Sequence, residues 1–204
     1  MKTMIINLKY FGLKGVIMPV IICGKNTRLS QLGGTVKVQN KTPGMIRIGI
    51  GHNGVVDSKS NRCTWENNGV ICFSGKCNLV AGTSIVNSGE LVIGDGVAFN
   101  GNVKIICHDK IHIGNHVFVS WDCMIMDTDY HHIYELSHGK RINEDSPVFI
   151  GDNVWIGMGT TLLKGCCVPD NCVVAARSLV TKTLKETNCI YVSNDIVKRN
   201  INWE

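Results

Sequence analysis

The feature that most constrains how this chain can fold is an aliphatic residue at every sixth position. The clearest run comprises Ile150, Ile156, Leu162, Val168, Val174 and Val180, and the residues between them are mostly small or polar. An α-helix would require a period of 3.6, and a half-buried open sheet a period of 2. A period of six predicts very short strands joined by regular corners, with the repeated side chains stacked in a narrow core.

The same repeat recurs in three series that each start twenty residues after the last. The members are Phe73, Leu79, Ile85 and Leu91, then Ile93, Phe99, Ile105 and Ile111, then Ile113, Val119 and Ile125. Strings of Ile-Gly-Asp or Ile-Gly-Asn at 93–95, 113–115 and 150–152 mark the start of a turn of the coil. Three six-residue units close one coil, and added corner residues lengthen it. The predicted fold class is therefore an all-β parallel β-helix of hexapeptide repeats.

Small residues at the predicted corners indicate a structural role for several of the ten cysteines. The fourth position after each repeated aliphatic residue is small, the members being Val154, Thr160, Cys166, Cys172 and Ser178. We therefore interpret Cys123, Cys166 and Cys172 as small core residues and not as metal ligands. The chain contains no C-x-x-C pair, which favours free thiols and a cytoplasmic location over a disulfide scaffold.

The 204 residues predict one domain in three parts. Residues 1–40 lack the repeat and are expected to form a short helical or strand cap. The β-helix domain is expected to span 41–190, followed by a C-terminal tail at 191–204. Polar stretches at 57–69 and 130–147 interrupt the repeat and are predicted to form loops on one face. Such loops commonly carry function because the rigid coil holds their ends.

Charge and hydropathy exclude several partners. The net charge of +5 comes without the dense basic and aromatic clustering of a nucleic-acid reader, so no nucleic acid is expected. The longest apolar run, Val16–Cys23, is eight residues broken by Pro19 and is too short to span a bilayer. The apolar run lies near Lys9, Lys14 and Lys25. This combination is compatible with a weak association with a membrane surface.

The repeat also resembles a known family. The residues that carry the resemblance are Ile-Gly-Asp-Asn-Val-Trp-Ile-Gly-Met-Gly-Thr-Thr-Leu-Leu-Lys-Gly (150–165), Val-Pro-Asp-Asn (168–171) and Ala-Arg-Ser-Leu-Val-Thr-Lys (176–182). They resemble the hexapeptide-repeat acetyltransferases, most closely bacterial enzymes that O-acetylate sugars. The resemblance covers about residues 70 to 203. It implies a left-handed coil, a homotrimer with sites between subunits, acetyl-CoA as co-substrate without a metal, and a glycan acceptor of capsule or lipopolysaccharide.

The family places its catalytic histidine in a D-x-D-x-H-like string, which here is Asp127-Thr-Asp-Tyr-His131. Transfer of an acetyl group to an alcohol requires a base near the hydroxyl, and histidine suits that task near neutral pH. We expect His131 to be the general base, with His132 as the main rival. Asp127 or Asp129 would orient the imidazole and face the acceptor, although a turn-forming role explains both equally well.

The resemblance also assigns the binding residues. It implies that Asn102 faces the acceptor and that Trp155 borders the acceptor or pantetheine channel, unless Trp155 packs against a neighbouring subunit. The residues expected to bind the cofactor are Met158, Ala176, Thr181, Lys182 and Lys198. The chain departs from the family pattern near the expected nucleotide contacts, where Val-Ser-Asn-Asp (192–195) replaces the usual G-N-P-A-K and Arg177 replaces a common glycine.

Three other functions are compatible with parts of the sequence. A γ-class carbonic anhydrase would use His108, His112 and His116, but a spacing of four does not place residues on one face of a period-six coil. An inactive scaffold would have no reason to retain His131, Trp155 and Lys182 together. An N-acetyltransferase acting on an amino-sugar nucleotide needs the same base, so the base does not exclude it.

Overall fold

The computed structural model describes residues 1–51 and 54–203. In this part of the chain one helix, α1 (Lys2–Ile17), precedes three sheets of short strands. Numbered in chain order, the strands of sheet A are β1 (Ile21–Cys23), β4 (Ile46–Ile48), β7 (Cys77–Leu79), β10 (Val97–Phe99), β13 (Phe118–Val119), β16 (Trp155–Ile156), β19 (Val173–Val174), β21 (Cys189–Val192) and β22 (Asp195–Arg199).

The other two sheets take the second and third strand of each coil. Sheet B contains β2 (Thr27–Gln31), β5 (Cys63–Asn67), β8 (Ser84–Asn87), β11 (Lys104–Cys107), β14 (Met124–Met126), β17 (Thr161–Leu162) and β20 (Leu179–Val180). Sheet C contains β3 (Thr35–Val38), β6 (Val70–Phe73), β9 (Glu90–Ile93), β12 (Lys110–Ile113), β15 (Val148–Ile150) and β18 (Cys167–Val168).

The chain visits sheets A, B and C in turn, which produces the predicted parallel β-helix. Leu91 pairs with Ile111 twenty residues later, and Phe149 pairs with Cys167 eighteen residues later. These separations confirm coils of twenty and eighteen residues. Among the described strands, only the β21–β22 pair is antiparallel, and it ends the coil.

The core is the stack of inward side chains that the period of six predicts. Every repeated aliphatic residue from Ile150 to Val180 has 0% of its surface exposed. The predicted small corner residues are buried as well, from Val154 to Ser178. All ten cysteines are free thiols, and Cys123, Cys166 and Cys172 lie in this core.

The Gly-Asp and Gly-Asn strings form the corner between sheets C and A. A Cβ at Gly114 would lie 2.6 Å from the carbonyl carbon of Gly151, so only glycine allows the coils to stack here. The following Asx side chain accepts a hydrogen bond from the backbone of the preceding coil. Asn115 accepts from the Asp95 N–H at 2.9 Å, and Asp152 accepts from the Asn115 N–H at 2.6 Å. The motif therefore satisfies corner amides that the strands leave unpaired.

The structure differs from the predicted boundaries at the N-terminal side. Strands β1, β2 and β3 already form a coil that pairs with β4, β5 and β6, so the β-helix begins near Ile21 and not near residue 41. Only α1 remains as a cap. The period is hidden in this first coil because polar Thr27 takes an inward position, where its hydroxyl donates to the Ile48 carbonyl at 3.4 Å.

The first predicted loop is displaced as well. The described interruption lies between β4 and β5, at residues 49–51 and 54–62, whereas 57–69 was expected. Within β5 the residues alternate, with Cys63, Trp65 and Asn67 buried and Thr64 and Glu66 partly exposed. The polar outward residues made this strand resemble a loop. At the C-terminal side, the predicted tail 191–204 is largely the β21–β22 hairpin, and Glu204 lies outside the described residues.

Candidate functional site

The second interruption is an arm, residues 128–147, that leaves the coil at the corner between sheets B and C. Its stem is closed by a hydrogen bond from the Ser146 N–H to the Asp127 carbonyl at 3.1 Å. Further out, the Ile142 N–H donates to the Ile133 carbonyl at 2.9 Å, and Tyr134 bridges Arg141 in antiparallel fashion. The arm is therefore a short two-stranded ribbon, at the place where the sequence predicted an interruption.

His131 lies at the base of this arm, in a tight turn. The Tyr130 N–H donates to the Thr128 hydroxyl at 3.0 Å, and Tyr130 adopts a left-handed φ of 62°. The His131 N–H then donates to the Asp129 carbonyl at 2.7 Å. The His131 side chain is exposed, so an incoming hydroxyl can reach the imidazole.

Asn143 holds this turn from inside the arm. Its Nδ2 donates to the His131 carbonyl at 2.7 Å and to the Asp129 carboxylate at 2.9 Å. Its Oδ1 accepts from the Ile133 N–H at 2.7 Å. The residue is buried, with three bonds to the segment that carries His131. Asn143 could not be predicted from the sequence, because one asparagine in a polar insertion carries no signal that distinguishes it from a solvated residue.

Lys164 fixes the same turn from the next coil. Its ammonium group donates to the Asp129 carboxylate at 2.5 Å and to the Glu144 carbonyl at 3.0 Å. The bond from Lys164 and the bond from Asn143 hold the pKa of Asp129 below its ordinary value of 3.8. Asp129 thus ties the arm to the coil. Lys164 was also missed, since its contact depends on the stacking of two coils.

Asp127 has a different environment from the one expected of it. Its side chain is fully buried, and its two oxygens accept the backbone N–H groups of His108 at 2.7 Å and Asp109 at 2.9 Å. Both oxygens are therefore directed at the preceding corner, and the expectation that Asp127 orients the imidazole or faces the acceptor finds no support. The turn-forming interpretation fits, because the Asx residues at the other corner behave alike.

His132, the alternative to His131 as the general base, contacts another side chain of the arm. The His132 Nδ1 lies 3.2 Å from the Tyr134 hydroxyl, and the two rings meet edge to face with centroids 6.1 Å apart. The histidines of the carbonic anhydrase alternative do not converge. His108 lies at a corner beside Asp145, His112 lies in β12 beside Phe149, and His116 lies at the opposite corner. The described residues hold no group of three or more side chains able to bind a metal.

An apolar groove of about 390 Å³ runs over the outer face of sheet A towards its corner with sheet B. Its lining includes Trp155, Met158 and Ala176, which the sequence assigned to the acceptor and cofactor region, together with Phe118, Ser120, Trp121 and Val173. The Trp155 indole is 40% exposed and donates to the Ser120 hydroxyl at 3.0 Å. Trp203, which the sequence analysis did not single out, packs its ring 6.0 Å from that of Trp155.

The other predicted cofactor residues lie at the end of the coil. Lys182 lines a second cavity of about 480 Å³ with Lys185, Asn194 and Arg199, and Lys198 is exposed in β22. Thr181 is held by Asn194, whose Oδ1 accepts the Thr181 N–H at 3.1 Å. Residues 192–195, which depart from the family string, thus stabilise the end of β20.

Asn102 lies at the corner between sheets A and B, with a left-handed φ of 52°. Its amide donates to Asp122 at 3.0 Å and accepts from Asn61 at 2.9 Å. A cavity of about 350 Å³ opens beside it, lined also by Lys104 and Met124. Within one chain, the groove and Asn102 therefore lie at one corner of sheet B, whereas His131 lies at the other.

Comparison with known proteins identifies the repeat. Residues 147–182 match the family model described as bacterial transferase hexapeptide (six repeats). The chain is 36% identical over 100 residues to the polysialic acid O-acetyltransferase of Neisseria meningitidis, covering 49% of this chain and 42% of that protein. It is 32% identical over 109 residues to the galactoside O-acetyltransferase of Lactococcus lactis, covering 53% and 52%. The chain thus spans about half the length of these curated relatives.

Solved structures show the same architecture. The polySia-specific acetyltransferase NeuO aligns with a TM-score of 0.66 and 20% identity, over 90% of this chain and 77% of that one. The polysialic acid O-acetyltransferase OatWY aligns with a TM-score of 0.50 and 25% identity, over 90% and 86%. No helix in the described parts of the chain is long and apolar enough to cross a membrane. These matches confirm that the chain has the left-handed parallel β-helix of the hexapeptide-repeat acetyltransferases and resembles the bacterial enzymes that O-acetylate sugars.

Proposed function

We propose that this chain is an O-acetyltransferase that moves an acetyl group from acetyl-CoA to a sugar hydroxyl of a capsular or lipopolysaccharide glycan or its precursor. The observation that carries the proposal is the pairing of an exposed, firmly held His131 with an apolar groove, on a coil similar to those of sugar O-acetyltransferases. Exposure suits a base that must meet a polymer or sugar from solution, and the groove suits a thin, partly apolar donor.

His131 supplies the proton transfer in this proposal. Its imidazole removes the proton of the acceptor hydroxyl while the oxygen attacks the thioester carbonyl, forming the new C–O bond. Collapse of the tetrahedral intermediate breaks the C–S bond, and the imidazolium returns the proton to the departing sulfur. A thiol is far more acidic than an alcohol, so the thiolate leaves more readily than an alkoxide would. Activation of the hydroxyl is then the main task, which one histidine can perform.

The groove gives the donor a place to lie. Trp155, Met158 and Ala176 offer an apolar surface for the pantetheine arm of acetyl-CoA. Lys182 and Lys198, both exposed towards the end of the coil, are the cations that we assign to its phosphates. No metal enters this scheme, since the imidazole and the thioester suffice for the chemistry.

We assign the complete site to two chains of a homotrimer. His131 and the groove flank sheet B from opposite corners, so a single chain does not bring them together. The arm carries large apolar side chains that face solvent, the members being Tyr130, Ile133, Tyr134, Leu136 and Ile142. Leu136 is the most exposed of them, at 104%. Such an arm fits packing against a neighbouring coil, which would bring His131 to the neighbour's groove in a cyclic assembly.

The compartment that we propose is the cytoplasm. All ten cysteines are free thiols in the structure, and most are buried in the coil. Thiols persist in a reducing compartment, where acetyl-CoA is also the ordinary acetyl donor.

The proposal is tested by incubating the purified chain with acetyl-CoA and a panel of acceptors, and measuring release of free thiol. The panel would contain polysialic acid oligomers, galactosides and amino-sugar nucleotides. We expect turnover with a hydroxyl acceptor, giving a product one acetyl group heavier that mild alkali cleaves. His131→Ala is the matched control for spontaneous hydrolysis. An alkali-stable product would indicate N-acetylation, and the absence of turnover with every acceptor would contradict acetyl transfer to these sugars.

A further inference from the structure

The positive charge of this chain is concentrated in the N-terminal part of the sequence. Residues 1–56 contain eight Lys or Arg and no Asp or Glu, and the first acidic residue is Asp57. The other residues carry 13 Lys or Arg against 16 Asp or Glu, so the modest overall charge of +5 conceals a strongly basic N-terminal end. The basic part contains α1, the first coil and β4 of the second coil, which lie at the far end from β22.

One face of α1 attaches this helix to the coil. Ile6 is fully buried in the core, and Asn7 next to it is also fully buried. The Asn7 side chain accepts from the Ile21 N–H at 3.1 Å and donates to the Ile21 carbonyl at 2.6 Å. These two hydrogen bonds fix α1 against the start of β1. The face of α1 opposite Asn7 therefore points away from the coil.

The opposite face of α1 is apolar and faces solvent. Met1, Met4, Ile5 and Leu8 follow the i, i+3, i+4, i+7 spacing of one helix face, and all four are exposed. Met4 is 56% and Leu8 is 50% exposed, although each has a large apolar side chain. Beyond the kink at Gly12, the exposed apolar residues continue with Leu13 at 76% and Ile17 at 79%. The apolar face needs a partner that the described chain does not supply.

Basic residues border this apolar face. An open groove of about 810 Å³ lies between the coil and the start of the chain at Met1 and Ile5, and its lining includes Lys2, Lys25, Arg28 and Arg62. Lys25, Arg28 and Arg62 are exposed, and Lys9 lies exposed next to Leu8 on the helix. Apolar side chains and cations thus form one continuous surface, which we call the cap surface.

We propose that the cap surface docks this protein onto a membrane that contains anionic lipids. An amphipathic helix with lysines beside its apolar face lies in the plane of the lipid headgroups, with apolar side chains below them and cations at the phosphates. The continuous part of α1 before the kink at Gly12 presents two turns of apolar side chains to solvent, and α1 as a whole is too short to span a bilayer. The inference does not depend on acetyl transfer, because the cap surface is separate from His131 and the groove.

Two other occupants fit the cap surface less well. A second copy would set two surfaces of the same strong positive charge against each other, which opposes association. An anionic polysaccharide would match the cations but has no use for a row of methionine, isoleucine and leucine side chains. Of these three occupants, only an anionic bilayer matches both the apolar side chains and the cations of the cap surface.

The test is flotation of the purified full chain with two kinds of vesicle, phosphatidylcholine alone and phosphatidylcholine with phosphatidylglycerol. We expect binding to the anionic vesicles at least about tenfold stronger than to the neutral ones, and weaker when salt rises from about 0.1 M to about 0.5 M. Lys9→Gln with Arg28→Gln should weaken binding by about twentyfold to thirtyfold, at roughly fivefold for each charge. Ile5→Gln with Leu8→Gln should weaken it by about tenfold or more.

Matched controls keep this result specific. Val197→Gln and Lys140→Gln change an exposed apolar residue and an exposed lysine away from the cap surface, and neither should alter binding. Circular dichroism would confirm that each variant is folded. Equal binding to neutral vesicles, or no binding to either kind, would overturn the proposal. So would vesicle binding that survives both double variants, or an oligomer that dissociates in Ile5→Gln with Leu8→Gln, which would make the surface a contact between copies.

Discussion

Asn143 donates a hydrogen bond from its Nδ2 to the backbone carbonyl of His131 at 2.7 Å. The same amide bonds Asp129 and Ile133, so one buried side chain fixes the turn before and after the histidine. The base that we propose must be held within hydrogen-bond reach of the hydroxyl, and this contact restrains the backbone that carries its imidazole.

Replacement of Asn143 should therefore affect His131 without touching the substrates. Asn143→Ala is expected to lower kcat by about tenfold and to destabilise the arm, because buried backbone groups lose their partners. The KM for acetyl-CoA should stay unchanged. Asn143→Asp retains the acceptor for the Ile133 N–H and loses both donors, so kcat should fall there too. A loss of thermal stability with kcat unaffected would make Asn143 an anchor of the arm with no role in placing the base.

His131→Ala should lower kcat by about a hundredfold or more while acetyl-CoA binds as before, because loss of a general base typically costs that much. His132→Ala should be mild, since its ring contacts Tyr134 within the arm. Steady-state kinetics with equilibrium binding of acetyl-CoA measures both. If His132 proves essential and His131 dispensable, the base has been assigned one position too early.

Lys182 should act on binding and not on chemistry. Lys182→Ala removes a charge-assisted contact to phosphate worth about 1.5 to 3 kcal/mol, so the KM for acetyl-CoA should rise roughly tenfold to a hundredfold with kcat nearly constant. Added salt should have the same effect on the unaltered protein. An unchanged KM with loss of kcat would place Lys182 in the reaction instead.

The Asp129–Lys164 contact predicts how the arm responds to acid. Because Lys164 and Asn143 hold the pKa of Asp129 below 3.8, the carboxylate contributes stability above that value and loses it as pH falls through the lowered pKa. Cleavage by pepsin within residues 128–147 should therefore increase as pH falls below 3.8. Lys164→Met should show that increase already at higher pH. Identical cleavage of the two proteins at every pH would contradict this role for the ion pair.

Buried thiols should be unreactive until the coil unfolds. Burial raises the pKa of Cys123 to about 11 and that of Cys166 to about 12, so little thiolate exists near neutral pH. Alkylation followed by peptide mass spectrometry should leave both unlabelled in the native protein and label both in guanidinium chloride. Rapid native labelling of either residue would show that the corners open more readily than the packing implies.

The period of six was sufficient to predict the coil because every repeated residue faces the same narrow core. The strings at 93–95 and 113–115 were equally informative, since stacking at that corner requires glycine and an Asx acceptor. The repeat became hard to read where polar Thr27 or Asn67 faces inward, which explains why the first coil and β5 were missed.

The site was only partly predictable for a different reason. Trp155, Met158 and Ala176, which the family resemblance assigned to the acceptor and cofactor region, line one groove on the coil. Asn143 and Lys164 act through contacts between the arm and the next coil, which no local pattern encodes. Asp127 lies inside the catalytic-looking string, but its two oxygens accept backbone amides, which fits the turn-forming alternative that the sequence left open.

Mixed trimers test most directly whether His131 of one chain and the groove of another form a single site. One variant would lack the base, His131→Ala, and the other would have its groove filled, Ala176→Trp. Each alone should be folded, trimeric and inactive. Random mixing of the two should restore about a quarter of the original activity, because about one interface in four then pairs an intact His131 with an intact groove. Mixed trimers with no recovered activity would contradict the shared site and mean that each chain holds a complete site of its own.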